Sequence, residues 1–293
     1  MRALLNWKLF ALLILIFIAV VEFIAREYIG LGEVPTYVFS DKYEYIYSPN
    51  INVTRFKNEI TTNSFSMRSE ELINGEEYIA IMGDSIVNGG VLTDHNSLAT
   101  TILFPEFSTL NISAGSWGPE NAFEYWKDNS DLHFKKVILV FSSHDYYDYI
   151  EGKNVVCTLN YPCKQPMSAI TDGFFKYFIP LLKSKLVNNT GKGKLDELEQ
   201  QLELSSGWLD IINYARELKI PLHVVLHPDK DEVISGEYNY FGQKIIDFLE
   251  GNGVEYTLEL DNGVSEDYYR DRIHYNDEGQ KFLAKIIKGI LDK

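Results

Sequence analysis

Tyr78-Ile79-Ala80-Ile81-Met82-Gly83-Asp84-Ser85 is an apolar run that stops on a turn signal, and its reading decides the fold. Apolar residues closed by Gly-Asp-Ser read as a buried strand followed by a sharp turn. Ser85 then stands at the strand's C-terminal end, near the start of the next helical segment, where backbone N–H groups can face an oxyanion. Far downstream the chain reads Asp271-Arg272-Ile273-His274-Tyr275-Asn276. A hydroxyl nucleophile after a strand, with an Asp and a His three residues apart near the C-terminus, is the minimum set for serine acyl transfer. His274 would take the Ser85 proton as general base, and Asp271 would hold its imidazole in the required tautomer. Gly-Asp-Ser alone is an ordinary turn and Asp-x-x-His an ordinary surface pair. Their order along the chain carries the reading.

Outward from residue 78, apolar strands alternate with amphipathic helices. Strands are expected over 78–82, 108–112, 136–141, 222–226 and 254–258, and helices over 95–103, 119–126, 209–218, 240–249 and 278–291. That succession implies an α/β domain over residues 76–293, with a mostly parallel sheet covered on both faces. An insertion at about 146–206 holds Cys157, Cys163, an aromatic helix near 174–186 and a charged stretch at 192–203. Insertions beside a strand's C-terminal end commonly shape a substrate cleft. The two cysteines either close a small disulfide ring or stay as thiols, and their spacing offers no second ligand pair for zinc.

Residues 9–21 form an unbroken apolar run, and the apolar residues on either side give enough length to span a bilayer, with Lys8 snorkelling and Glu22 at the far interface. Arg2 and Lys8 precede the run and Glu22, Arg26, Glu27 and Glu33 follow it. That asymmetry places the body outside the cytoplasm. With no small-x-small cleavage site after the run, residues 1–26 are expected to be an uncleaved transmembrane anchor rather than a signal peptide. Residues 27–75, with alternating stretches such as Tyr43-Glu44-Tyr45-Ile46-Tyr47, read as an extended, strand-containing lead-in that packs on the body. A net charge of −15 argues against nucleic acid as a partner. No Gly-rich phosphate loop, paired-carboxylate spacing or metal cluster competes with the serine site, so no cofactor is expected.

These residues resemble the SGNH, or GDSL-type, hydrolases, a superfamily of esterases and carbohydrate acyl-modifying enzymes. The resemblance covers roughly residues 76–293 and implies a three-layer, flavodoxin-like sandwich. Gly83-Asp84-Ser85 and Asp271-Arg272-Ile273-His274 match the nucleophile and base blocks. The middle blocks match less well. Asn111-Ile112-Ser113-Ala114-Gly115-Ser116-Trp117-Gly118 puts Ser116 at the usual Gly, or Gly115 if the alignment slips by one, and Ser142-Ser143-His144-Asp145 puts His144 where the family has Asn. The family's oxyanion donors would then be the Ser85 N–H, the backbone N–H at Ser116 or Gly115, and the His144 side chain.

Membrane-anchored members carry Pro-Asn, Asn-Ser and Met-Arg-Ser before the nucleophile strand, as do Pro49-Asn50, Asn63-Ser64 and Met67-Arg68-Ser69 here. Arg68 is read as structural, with the active-site rim as the alternative. Asp84 is expected to stabilise its turn, Asn276 or Asp277 to cap the last helix, and His227 to be a strand-end residue or a cleft residue. Trp117, Tyr146, Tyr147 and Tyr149 are either platforms for sugar rings or core. The implied activity is that of a membrane-anchored, extracytoplasmic esterase or O-acyl (acetyl) transferase. Its ester-bearing substrate would be an acylated carbohydrate of the envelope or an exported polysaccharide. A non-catalytic envelope protein that kept the fold and a lipid esterase or thioesterase are the alternatives.

Overall fold

The computed structural model describes residues 2–73, 75–186 and 202–293. Helix α1 (Arg2–Ile24) runs on through a π turn at Ala25–Ile29 and stops at Gly30, whose φ of 77° ends it in the left-handed region. Trp7–Ile29 is long and apolar enough to cross a membrane, with a mean hydropathy of 2.7 and almost none of it buried in the protein. The helix thus extends past residue 26. Two antiparallel hairpins follow, β1 (Tyr37–Ser40) with β2 (Glu44–Tyr47) and β3 (Asn52–Arg55) with β4 (Asn58–Thr61). They form the lead-in, and Tyr45, Ile46 and Met67 from this segment enter the main core.

The body opens with β5 (Tyr78–Gly83), α2 (Ser85–Asn88), α3 (Ala99–Phe107), β6 (Thr109–Ser113), α4 (Pro119–Asp128) and β7 (Phe134–Ser142). The insertion carries α5 (Ala169–Gly173), a π turn (Phe174–Phe178) and α6 (Ile179–Leu186). Then come α7 (Ser206–Leu218), β8 (Leu222–His227), α8 (Lys230–Ser235), α9 (Tyr240–Gly251), β9 (Glu255–Leu258) and α10 (Asp277–Leu291). Strands pair in the order β6-β5-β7-β8-β9, all parallel among the described residues. Counted along the body this is the 2-1-3-4-5 order of a doubly wound sheet, whose switch point lies between the first and third strands.

The period-two alternation of strand side chains builds both layers. Ala80, Met82, Val137, Leu139, Phe141, Val224 and Leu226 point to the face covered by α4, α7 and α9. Ile79, Ile81, Ile138, Val140 and Val225 point to the face covered by α2, α3 and α10. Central strands are buried on both faces, so their sequences are continuous apolar runs.

Three local features differ from the sequence reading. The helix expected from residue 95 begins at Ala99, because Asp94 accepts from the Asn96 N–H and closes a separate 3-10 turn at His95–Ser97 before an extended Leu98. Short α2 and α8 offer too few residues for a periodicity to register. The aromatic helix starts earlier, at Ala169, where Ser168 caps it through the Thr171 N–H. Cys157 and Cys163 are disulfide-bonded. Of the charged stretch 192–203, residues 192–201 lie outside the described residues.

Candidate active site

Gly83 ends β5 under tight constraint: a Cβ there would lie 2.5 Å from the Val140 carbonyl oxygen and 2.6 Å from a Val87 methyl. The missing side chain lets the turn into α2 pass directly over β7. Asp84 caps α2, its Oδ1 accepting from the Ile86 N–H at 2.8 Å, which is the turn-stabilising role expected of it. Ser85 is the first residue of the helix and is half-buried at the sheet's C-terminal edge.

The loop before α10 arrives from the other side. Asp271 Oδ1 accepts from the backbone N–H groups of Ile273 (3.0 Å) and His274 (2.8 Å), folding the loop back on itself. That fold aims both side chains the same way. His274 Nδ1 lies 2.8 Å from Asp271 Oδ2, and His274 Nε2 lies 2.9 Å from Ser85 Oγ. Partial burial raises the Asp271 pKa, but the bonds from the His274 and Ile273 N–H groups and the His274 ring outweigh it and hold the carboxyl below its usual range. An acceptor-only carboxylate on Nδ1 leaves Nε2 to accept the Ser85 proton. Asn276 rather than Asp277 caps α10, accepting from the Gly279 N–H.

Two arginines, Arg68 buried and Arg270 half-buried, hold the loop after α2. Arg68 donates to the carbonyls of Asn88 (2.7 Å), Gly90 (2.8 Å), Thr93 (3.1 Å) and Glu59 (3.3 Å), and burial pulls its pKa down to about 10. It is therefore structural and does not reach the rim. Arg270, beside the His274 loop, donates to Thr93 Oγ1 (2.7 Å) and the Gly89 carbonyl (2.9 Å). One side chain thus ties the base loop to the nucleophile loop, a link not read in the sequence.

Ser85, Ser116, His144 and His274 line one cleft of about 950 Å³. Ser116, with φ of 59°, occupies the left-handed turn expected of a glycine position. Gly115 lies one residue back, outside the lining, with its carbonyl taken by the Tyr45 hydroxyl. His144 sits among polar and acidic side chains. Its ring is in the cleft wall, Nδ1 is hydrogen-bonded to Ser142 Oγ, and Nε2 lies 3.5 Å from both Asp84 Oδ2 and Asp145 Oδ1. Nδ1 is thus occupied by Ser142, while Nε2 lies at ion-pair distance from two carboxyl groups, which places the ring to answer their charge.

Both of those carboxylate oxygens are buried and have no hydrogen bond. Burial would depress the His144 pKa, but the charges of Asp145, Asp84 and Asp148 carry it to about 10. Burial lifts Asp145 to about 8 against the pull of His144. Asp84, His144 and Asp145 bring three donor atoms of metal-binding type within 4.8 Å of one another, a set the linear spacing did not show. Their present arrangement is an imidazolium between two carboxyl groups.

His227 is completely buried, with Nδ1 2.7 Å from Glu259 Oε2 and Nε2 2.9 Å from the Ile273 carbonyl. It is a strand-end residue, the first of its two expected roles, and it sits directly beneath the loop of Asp271 and His274. Trp117 is core, its indole donating to the Tyr45 carbonyl. Tyr146 packs on the core and Tyr149 is exposed outside the cleft lining. Tyr147 lines the cleft together with Tyr240 and Phe241 from the start of α9. The α9 pair was not read as cleft residues. The available signal was the position of α9 after β8, at the same sheet edge as Ser85.

No family model matches the chain, and no curated protein does. Among solved structures it is similar to a member of the lipolytic protein G-D-S-L family from Veillonella parvula DSM 2008, at 9% identity over 74% of this chain and 100% of that one, with a TM-score of 0.41. It is also similar to the psychrotrophic esterase EstA from Pseudoalteromonas sp., at 11% identity over 74% of this chain and 100% of that one, TM-score 0.42. A third is the acetyl xylan esterase AlAXEase, at 14% identity over 72% of this chain and 98% of that one, TM-score 0.40.

Proposed function

We propose that this chain is a membrane-anchored serine esterase or O-acyl transferase of SGNH type, working through an acyl-enzyme on Ser85. The observation that carries the reading is the continuous Ser85–His274–Asp271 chain, with contacts of 2.9 and 2.8 Å made by residues from opposite ends of the domain. In the first half-reaction Ser85 Oγ attacks the ester carbonyl while its proton moves to His274 Nε2. The oxyanion is met by backbone N–H groups at the start of α2 and at Ser116. His274 then returns the proton to the departing alkoxide. Water or an acceptor hydroxyl repeats the sequence in reverse.

His144 acts electrostatically. Asp84 adjoins the nucleophile with a buried oxygen that no hydrogen bond satisfies. An uncompensated charge there would oppose the developing oxyanion, and the His144 imidazolium offsets it. Asp148, Asp229 and Arg272 in the cleft wall, beside Tyr147 and Tyr240, suit a polyhydroxylated substrate better than a lipid chain. An acylated, chiefly acetylated, polysaccharide of the envelope or of export fits that wall. The α1 span and the charge asymmetry around it support an extracytoplasmic body.

A fluorophosphonate probe on the full chain in detergent tests the chemistry. Labelling that is lost in Ser85→Ala supports it, whereas absent labelling of the folded wild type would turn the reading to a binding or assembly protein of the envelope. Alkaline phosphatase fused after Leu31 tests the orientation in a bacterial host. An inactive reporter at equal expression would invert it.

A further inference from the structure

The chain carries a net charge of −15, yet between Asp172 and Asp196 it holds five lysines (Lys176, Lys183, Lys185, Lys192 and Lys194) and no acidic residue. The same stretch begins with the most aromatic sequence of the insertion. Phe174, Phe175, Tyr177, Phe178, Leu181 and Leu182 all stand in helical conformation, and each is between 39% and 53% exposed. The recurrence at 174, 178, 181 and 182 is that of one helical face, and the rings of Phe174 and Phe178 stack 5.4 Å apart on it. In a water-soluble helix the apolar face turns to the core. Here it turns away from it.

The apolar helix α1 lies against α5, the helix that leads directly into this face. Glu22 accepts from the N–H groups of Ala169 (2.9 Å) and Ile170 (3.0 Å), so the first turn of α5 is fixed near the end of the Trp7–Ile29 span. The far side is fixed too: buried Arg55 pairs with Asp172 and donates to the Tyr177 hydroxyl at 3.0 Å, and Phe56 meets the Tyr177 ring edge-on. The aromatic face is therefore held next to the place where α1 would leave a bilayer. Exposed aromatic and leucine side chains flanked by lysines are the composition of a helix lying in a membrane interface. The local lysine excess is complementary to anionic headgroups.

We propose that residues 174–182 form a second membrane contact, lying in the interface of a bilayer that contains anionic lipid, with the aromatic face among the acyl chains. The inference rests on reading α1 as a membrane span. Two contacts hold the body at a fixed tilt to the membrane plane, where a single helix would leave it free to rotate.

Both native cysteines are in the disulfide, so a single introduced thiol can be spin-labelled specifically. Leu15→Cys in α1, Phe178→Cys, and Ile234→Cys on exposed α8 are placed one at a time in the full chain, in nanodiscs of phosphatidylcholine with phosphatidylglycerol. The readout is each label's accessibility to oxygen relative to a water-soluble nickel chelate. The expected ratio at Phe178 is several-fold above that at Ile234 and below that at Leu15. It should fall at least twofold in pure phosphatidylcholine and in the triple variant Lys176→Glu, Lys183→Glu, Lys185→Glu. A Phe178 label as water-exposed as Ile234 while Leu15 is immersed overturns the inference and leaves the span intact. A water-exposed Leu15 label overturns the span reading and the inference with it. A Phe178 label shielded from both agents, with dipolar broadening between copies, would put a second copy of the chain on this face and also overturns it.

Discussion

Two histidine–carboxylate pairs lie within a few residues of each other at the C-terminal edge of the sheet, with nearly equal separations of 2.8 Å for His274–Asp271 and 2.7 Å for His227–Glu259. The side chains of the first pair are 31% and 50% exposed and those of the second are 0% exposed. The decisive difference is what the other ring nitrogen meets. His274 Nε2 faces a hydroxyl, which can donate, so its ring can be neutral and accept a proton. His227 Nε2 faces the Ile273 carbonyl, which can only accept, so with a carboxylate on Nδ1 both nitrogens carry protons. The exposed pair has the geometry to exchange a proton and the buried pair the geometry to keep one. Burial works against the charge on His227, but Glu259 and the Ile273 carbonyl outweigh it and raise its pKa. The comparison teaches that proximity of His to a carboxylate does not identify a base; the third partner does.

The largest test breaks the exchanging pair. Ser85→Ala and His274→Gln are expected to lower kcat for a simple acetyl ester by about 10⁶, and Asp271→Asn by about 10⁴. Because all three residues lie at the cleft, Tm should move by no more than about 2 °C. Ester turnover of the full chain alongside thermal melts decides it. A His274→Gln enzyme within about tenfold of wild type would mean that the exposed pair is only a surface contact.

Next in size is the keeping pair. Glu259→Gln leaves an imidazolium buried without its counter-charge and is expected to cost ~3–5 kcal/mol of stability in urea unfolding. The pH dependence has a definite sign. His227 has a raised folded pKa, so its contribution is fully present below the ordinary value of 6.5 and is lost as pH rises through the folded value. The stability gap between wild type and Glu259→Gln should therefore narrow as pH climbs. A gap that is constant with pH would show that His227 is neutral and that the comparison above fails.

His144 sharpens the comparison as a third histidine, flanked by two carboxylates. If it offsets the charge of Asp84, His144→Ala should cut kcat by about a hundredfold with KM little changed. Adding Asp84→Asn to that variant should recover part of the rate, since the charge to be offset is gone. Failure of the double variant to recover would return His144 to the donor role that the family resemblance implied. The raised pKa values of His144, to about 10, and Asp145, to about 8, have the same sign. For His144 the stabilisation is complete below the unfolded value of 6.5 and is lost as pH rises through the folded one, while for Asp145 the burial that raises its pKa becomes a cost once the carboxyl ionises.

The sheet was legible because central parallel strands are apolar on both faces, so 78–82, 136–141 and 222–226 announce themselves without any partner being known. Ser85 was legible because it follows such a run directly, and Asp271 and His274 because their three-residue spacing just before the last helix matches the base block of the family resemblance. What was not legible is whatever depends on strand order. His227 and Glu259 meet only because β8 neighbours β9, and Arg270 reaches Gly89 only because the base loop crosses the nucleophile loop. His144 shows the limit in another way: its position was found by alignment, while its ring direction is set by Asp84 and Asp145, one of them sixty residues upstream by number alone and close only in the fold. The outward apolar face at 174–182 looks like any amphipathic helix in sequence, since periodicity gives a face but not the side it is turned to.

The smallest test trims the buried pair without breaking it. Tyr275 is the residue immediately after His274, is buried, and donates its hydroxyl to Glu259 Oε2 at 2.6 Å, the same oxygen that His227 uses. Its ring also packs edge-on against His227, with centroids 4.5 Å apart. Tyr275→Phe keeps that packing and removes one donor from a charged acceptor, so the expected loss is ~1–2 kcal/mol, less than for Glu259→Gln, because Glu259 retains His227. The rate should stay within about threefold of wild type, since Ile273 is still held by His227 and the Asp271–His274 geometry is set by the loop's own backbone bonds. Urea unfolding and ester turnover measured on the same preparation read both quantities. A stability loss as large as that of Glu259→Gln would mean that the hydroxyl, and not the histidine, is what keeps Glu259 charged in the interior. A rate loss well beyond threefold without a matching loss of stability would mean that the buried pair positions His274 through Tyr275 rather than through the Ile273 carbonyl.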